Sequence, residues 1–99
     1  MAATSEQRAR RIGRRHAADG VARWDLDGDG EARLMSALGH TAPTTERNAP
    51  RRWKLLCAYR EAFSRAELER LEVAFEEAGG RGVDLAERID ELRAELGSN

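Results

Sequence analysis

Residues 25–31 hold the densest set of oxygen donors in the sequence. Asp25, Asp27 and Asp29 stand at alternate positions, and glycine occupies positions 28 and 30. Carboxylate oxygens are the ligands that Ca²⁺ prefers, and glycine permits the sharp turn that wraps a chain around one ion. The chemistry that these residues could perform is therefore the binding of a divalent cation.

The same segment resembles the first half of an EF-hand calcium loop. The resemblance covers residues 25–36 and implies side-chain ligands at Asp25, Asp27 and Asp29 and a backbone carbonyl ligand at Glu31. The second half departs from the pattern, because Ser36 stands where an EF-hand has a bidentate glutamate. We therefore predict no cofactor. An acidic turn between two helices is the favoured interpretation, and a weak Ca²⁺ site is the alternative.

A cluster of arginines near the N-terminus suggests a second kind of chemistry. Guanidinium groups pair with phosphates, so the cluster predicts a nucleic-acid-binding arm as an alternative function. No aromatic residue that could stack on bases lies among these arginines. We expect residues 1–16 to form an arm or a frayed helix, either solvated or folded against the acidic half of the chain. The cluster consists of Arg8, Arg10, Arg11, Arg14 and Arg15.

Residues for nucleophilic or acid–base catalysis are few and isolated. His16 and His40 are the only histidines, and both lie in polar surroundings. Cys57 is the only cysteine and lies in the most apolar segment, so we predict a buried structural thiol. A lone cysteine also points to a cytoplasmic protein without disulfides. We therefore predict that the chain is not an enzyme.

The composition favours an all-α protein. The chain has 99 residues, enough for one domain, and alanine, leucine, arginine and glutamate dominate it. No apolar run approaches the roughly 18 residues that span a membrane. Charge is segregated: the net charge is +4 over 1–24, −4 over 25–31, +5 over 32–65 and −6 over 66–99. This segregation indicates an electrostatic partner, or pairing between parts of the molecule.

The first half of the chain contains signals for two helices. A capping box at its start predicts a helix from Ser5. Ala17, Val21 and Trp24 recur at helical spacing, which predicts a helical stretch up to the acidic turn that begins at Asp25. A short helix is expected over 31–38 and should end at the glycine that follows it. Residues 17–97 then form a single helical domain.

The second half predicts a helical hairpin and one further helix. Over 51–63 the apolar residues cover more than half of the helix circumference, which places this helix in the middle of a bundle. Arg60 projects from that apolar arc, so it needs a carboxylate partner or marks where the arc meets solvent or another molecule. Ser64 begins a second capping box, and the apolar arc shifts there, so we predict a break and a central hairpin over 51–78. The last helix, 84–96, carries a narrow apolar seam.

These features predict a compact bundle of four or five short helices that acts by binding. The favoured function is a small regulatory protein or adaptor, of phage or bacterial type, that docks a protein partner through helical surfaces. A homodimer through the last helix is a further expectation. The residues predicted to contact the partner are Arg60, Glu72, Glu76, Leu85, Ile89 and Leu92.

Overall fold

Four helices make up the part of the chain that the structure describes. The structure is a computed structural model that describes residues 3–24 and 29–97. The helices are α1 (Ser5–Ala18), α2 (Asp29–Ala37), α3 (Ala49–Glu77) and α4 (Val83–Gly97). The described residues include no strand, and the predicted all-α bundle is confirmed. None of the four helices has the length and apolar character required to cross a membrane.

Helix α3 is the axis of the molecule. Its 29 residues rise about 1.5 Å each, so it is about 43 Å long and runs along most of the 49 Å long dimension of the described residues. Pro50 lies in its first turn, where the missing amide proton costs no helical hydrogen bond. Helices α1, α2 and α4 all pack against α3.

Helix α1 begins and ends where local signals place it. The amide of Gln7 donates to Thr4 Oγ1 over 3.1 Å, and the amide of Thr4 donates to Gln7 Oε1 over 2.9 Å. This is the predicted capping box, and the helix starts at Ser5. At the other end Gly20 adopts a φ of 71°, and the amide of Val21 donates to the His16 carbonyl over 2.9 Å. The helix therefore ends at Ala18, and the prediction that it continues through Val21 to Trp24 is wrong.

Residues 5–16 are part of the packed domain. Ala9, Gly13 and Ala17 follow each other at four-residue intervals, and all three are buried. A Cβ atom at Gly13 would lie 2.5 Å from the carbonyl oxygen of Tyr59, so the backbones of α1 and α3 are in close contact there. The predicted boundary after residue 16 falls inside α1. The arm predicted for 1–16 is, from Ser5 onward, a docked helix.

The second helix and its end follow the prediction. Leu34, Met35 and Leu38 are buried and belong to the apolar core that α1 and the first half of α3 share with α2. Gly39 adopts a φ of 78°, which ends the helix, and the amide of His40 donates to the Met35 carbonyl over 2.8 Å.

The predicted break at Ser64 is wrong, because α3 is continuous. Ser64 is buried and its hydroxyl accepts a hydrogen bond from Arg23 Nη1 at 3.2 Å, so it does not cap a helix. The shift of the apolar arc has another cause. The first half of α3 is buried against α1 and α2, whereas the second half packs against α4. One helix can therefore bury different faces along its length without a break.

A helical hairpin does exist, but α3 and α4 form it. Gly79 and Gly80 adopt φ values of 72° and 74°, which turn the chain after α3. Ile89 and Leu92 are 4% and 0% exposed on the side of α4 that faces α3. The apolar seam predicted for the last helix thus finds its partner helix within the same chain.

Candidate protein-binding surface

Two large or reactive side chains on the first half of α3 are exposed to solvent. Trp53 is 65% exposed. Cys57, one helical turn further on, is also exposed, and the prediction of a buried thiol is wrong. The reason is geometric: α1 and α2 cover the side of α3 that carries Leu55 and Tyr59, and a helix cannot turn all of its apolar positions toward the same neighbours.

The exposed pair continues a face that is covered further along α3. At about 100° per residue, Trp53 and Cys57 share one side of the helix with Ser64, Leu68 and Phe75. Ser64 is buried, and Leu68 and Phe75 are partly buried, in the half of α3 that α4 covers. The face therefore runs from a covered half to an uncovered half.

A groove of about 490 Å³ lies where the end of α4 approaches the uncovered half. Its apolar wall consists of Trp53, Cys57 and Leu96, and its polar side is formed by Arg60, Glu61, Ser64 and Glu95. Tryptophan and arginine are the residues most often found at the energetic centre of protein interfaces. The groove thus combines an exposed aromatic anchor with a charged pair.

Glu95 connects three parts of the fold beside this groove. Its Oε1 accepts hydrogen bonds from Arg23 Nη1 at 3.0 Å and from Arg60 Nε at 3.1 Å. Burial of Glu95 opposes ionisation, but the hydrogen bonds from Arg23 and Arg60 prevail and hold the pKa of its carboxyl below 4.5. Arg60 thus has the carboxylate partner that its position in the apolar arc requires.

Two cations flank the uncovered half of α3. Arg51 and Lys54 are exposed, and within residues 3–24 and 29–97 neither makes an ion pair or a side-chain hydrogen bond. Lys54 is next to Trp53 in the sequence, whereas Arg51 lies about 160° around the helix from Trp53 and lines a separate groove with His40 and Asn48. Lys54 is therefore the cation beside Trp53 that has no carboxylate partner within the described residues.

The predicted partner contacts on α4 are mostly unavailable. Ile89 and Leu92 are buried against α3, and Leu85 is half-buried. A partner or a second copy would have to displace α4 to reach Ile89 or Leu92, and their role as contact residues stays a prediction. The physical reason is that an apolar seam is satisfied by the nearest helix, which is α3.

The two predicted acidic contacts lie at the opposite end of α3 from Trp53. Glu76 is exposed, and Glu72 lies 3.8 Å from Arg93 in an ion pair. Both line a separate groove of about 500 Å³ between α3 and α4, together with Val73, which is 54% exposed. The structure does not bring them together with Arg60.

The residues of the predicted calcium loop are only partly described. Asp25 and Asp27 lie outside the described residues. Asp29, Glu31 and Ser36 lie on α2, where the seven-residue separation of Asp29 and Ser36 corresponds to about 10 Å of helix axis. The described residues contain no group of three or more histidine, cysteine or carboxylate side chains that could hold a metal ion.

The arginine cluster is divided by the packing of α1. Arg8 Nη2 donates to the Ala37 carbonyl over 3.2 Å and so provides a hydrogen-bond partner for a carbonyl in the last turn of α2. Arg10 lies 3.3 Å from Glu6 and 3.7 Å from Glu61 in ion pairs. The remaining three members of the cluster are exposed and make no ion pair within the described part of the chain; they are Arg11, Arg14 and Arg15.

A buried polar cluster holds the segment after α1 in place. Tyr59 is fully buried, and its hydroxyl accepts a hydrogen bond from the Trp24 amide at 2.9 Å. The same hydroxyl lies 3.0 Å from His16 Nδ1, with which it shares a hydrogen bond. Burial lowers the pKa of the His16 imidazole, against the opposing influence of Asp19, and burial raises the pKa of the Tyr59 hydroxyl. Both groups are therefore neutral at physiological pH and act as hydrogen-bond partners.

The exposure of Trp53 differs from the prediction of a helix in the middle of a bundle. An apolar arc that covers more than half of a helix circumference fits a helix with one open face as well as a fully buried one. The available signal was the spacing of Trp53, Cys57 and Ser64 at four and seven residues, on the side away from Leu55 and Tyr59. No comparison adds to this picture, since the chain matches no protein-family model, no curated protein and no solved structure.

Proposed function

We propose that the protein is a small non-catalytic binding protein that docks an acidic, amphipathic helix of a partner protein beside Trp53. The observation that carries the proposal is the 65% exposure of Trp53 on a helix face that α4 covers further along. Exposed tryptophan side chains lower the solubility of a protein, and a large apolar side chain at a groove is typical of an interaction site.

The form of the occupant follows from the way α4 binds. Helix α4 places Ile89 and Leu92, which are three residues apart, against the second half of α3. A partner helix with the same spacing fits the first half of α3 in the same manner. The stretch from Ala49 to Cys57, which precedes the contact of Arg60 with α4, is about 12 Å long and corresponds to about two turns of a partner helix.

The charge of the occupant follows from the flanking residues. Lys54 is an exposed cation beside Trp53 that has no carboxylate partner among the described residues. A carboxylate on the polar face of the partner helix would pair with it, which raises the association rate and selects against basic partners. The favoured occupant is therefore acidic as well as amphipathic.

Cys57 provides the experiment, because it is the only thiol in the chain and lies beside the groove. A photo-crosslinker attached to Cys57 is used to capture a partner from cells of the source organism, and the partner is then purified and titrated. We expect cross-links to an acidic helical segment. Trp53→Ala should weaken binding by about 30-fold, which corresponds to the ~2 kcal/mol of an interface hot spot. Lys54→Glu should weaken binding and reduce its dependence on salt.

Val73→Ala is the matched control, because Val73 is an exposed apolar residue on the same helix but lies in the other groove. It should leave the affinity unchanged. The proposal fails if the purified partner binds Trp53→Ala as well as the unaltered protein, or if the cross-linked segment is basic. It also fails if the only cross-linked protein is a second copy of this chain.

A further inference from the structure

The outward face of α1 carries charge that the fold does not use. Ala9, Gly13 and Ala17 define the face that packs on α3. At about 100° per residue, Arg11 and Arg15 lie about 160° around the helix from the centre of that face, and Arg14 lies about 100° from it. All three are exposed and lack an ion-pair partner in residues 3–24 and 29–97.

Within α1 no acidic or aromatic side chain shares this outward face, and exposed Asp19 follows the helix one turn after Arg15. Its other members within α1 are Gln7 and Ala18, both exposed. Glu6, which is the acidic residue of the first turn, is instead paired with Arg10 toward the side of the helix. The face therefore offers cations without neutralisation and offers no ring on which a base could stack.

The position of these cations is fixed by the packing beneath them. Helix α1 is capped at Thr4 and held against the α3 backbone at Gly13, so its orientation is set before any ligand binds. Arg11 and Arg15 are separated by about 6 Å of helix axis. Duplex DNA carries one phosphate charge per about 1.7 Å of its axis, so three long arginine side chains can each reach a phosphate.

From this geometry we infer that the outward face of α1 is a contact surface for the phosphate backbone of a nucleic acid duplex. A duplex fits better than a single strand, since binding of single strands relies on stacking with aromatic side chains, which the face lacks. Binding is independent of base sequence, because only phosphates are contacted. This surface is separate from the groove beside Trp53, so it does not depend on the function proposed above.

The test is a fluorescence-anisotropy titration of a labelled 30-base-pair DNA duplex with the full protein, in 50 mM and 200 mM salt. Three phosphate contacts predict a slope of about −2.7 in a plot of log affinity against log salt, which is a fall of about 40-fold between the two conditions. The variant Arg11→Gln/Arg14→Gln/Arg15→Gln should lose this salt-dependent binding, while its circular dichroism and melting temperature stay unchanged.

A matched variant removes the same charge elsewhere. Arg33, Arg47 and Arg81 are exposed and have no ion-pair partner among the described residues, and none of them lies on α1. The variant Arg33→Gln/Arg47→Gln/Arg81→Gln should bind the duplex as the unaltered protein does. Equal loss in both variants would show a net-charge effect and overturn the inference. It is equally overturned if the unaltered protein fails to bind at 50 mM salt.

An anionic lipid surface is the competing source of phosphate groups. Vesicles of phosphatidylserine and phosphatidylcholine in equal parts are tested by co-sedimentation with the same two variants. We expect no sedimentation of the unaltered protein at 150 mM salt, because the α1 face has no apolar side chain that could insert between lipids. Sedimentation that depends on Arg11, Arg14 and Arg15, together with weak duplex binding, would contradict the assignment to nucleic acid.

Discussion

The substitution Gly13→Ala separates two opposite expectations about α1. Helix propensity alone predicts that alanine stabilises the middle of a helix by about 1 kcal/mol relative to glycine. In the structure, however, the added Cβ would lie 2.5 Å from the carbonyl oxygen of Tyr59 and 3.0 Å from the amide nitrogen of Phe63. Both are backbone atoms inside α3, so they cannot rotate away, and α1 has to move outward.

The magnitude follows from these two opposing effects. Overpacking of a close contact costs about 1–3 kcal/mol, and because the contact atoms are backbone the upper half of that range applies. After the gain in propensity, we expect a net loss of about 1–2 kcal/mol in the free energy of unfolding. For a domain of this size each kcal/mol shifts the melting temperature by about 4–8 °C. Gly13→Ala should therefore lower it by about 5–15 °C.

Thermal unfolding followed by circular dichroism at 222 nm measures this shift. Gly97→Ala is the control, because a Cβ at Gly97 has no heavy atom within 4 Å. It should change the melting temperature by no more than about 2 °C. A rise in melting temperature for Gly13→Ala would refute the reasoning, since it would mean that α1 does not pack with its backbone against α3.

Three further perturbations follow from the packing. Leu92→Ala removes a fully buried side chain and should cost about 2–5 kcal/mol in chemical denaturation; an equal cost for the half-buried Leu85→Ala would contradict the assigned seam. Tyr59→Phe leaves the Trp24 amide without its hydrogen-bond partner and should cost about 1–3 kcal/mol, so an unchanged unfolding midpoint would contradict the buried cluster. The carboxyl of Glu95 has a pKa below its unfolded value of 4.5, so its contribution to stability is fully present above that pH and is lost as the pH falls through the folded-state pKa. Melting curves between pH 6 and pH 2.5 should show a smaller loss of stability for Glu95→Gln than for the unaltered protein, and parallel losses would exclude a role for this carboxylate.

Local sequence signals determined where most helices begin and end. The capping box at Thr4 places the start of α1, because a side-chain acceptor is needed for the free amides of a first turn. Gly39 ends the second helix, and Gly79 and Gly80 turn the chain after α3, because glycine reaches positive φ without a steric penalty. These features depend on neighbouring residues only, so a single sequence is sufficient to predict them.

Tertiary structure decided which face of each helix is buried and what covers it. The capping pattern at Ser64 is as good as the one at Thr4, yet α3 continues, because burying both halves against different neighbours stabilises an unbroken helix. Residues 5–16 carry only one large apolar side chain, Ile12, and so gave no sign of packing. The close contact between the α1 and α3 backbones at Gly13 requires small residues rather than large apolar ones. Its contribution to stability depends on where α3 lies.

The candidate surface was predicted only in part for the same reason. Arg60 was recognised because a charge within an apolar arc needs a partner, and the structure supplies Glu95. Ile89 and Leu92 were expected to face a partner, and they do face a helix, but that helix is α3. Periodicity shows that a face is apolar, and it cannot show whether another segment of the chain covers that face. Trp53 remains exposed because α4 covers only the second half of α3, which is a property of the assembled fold.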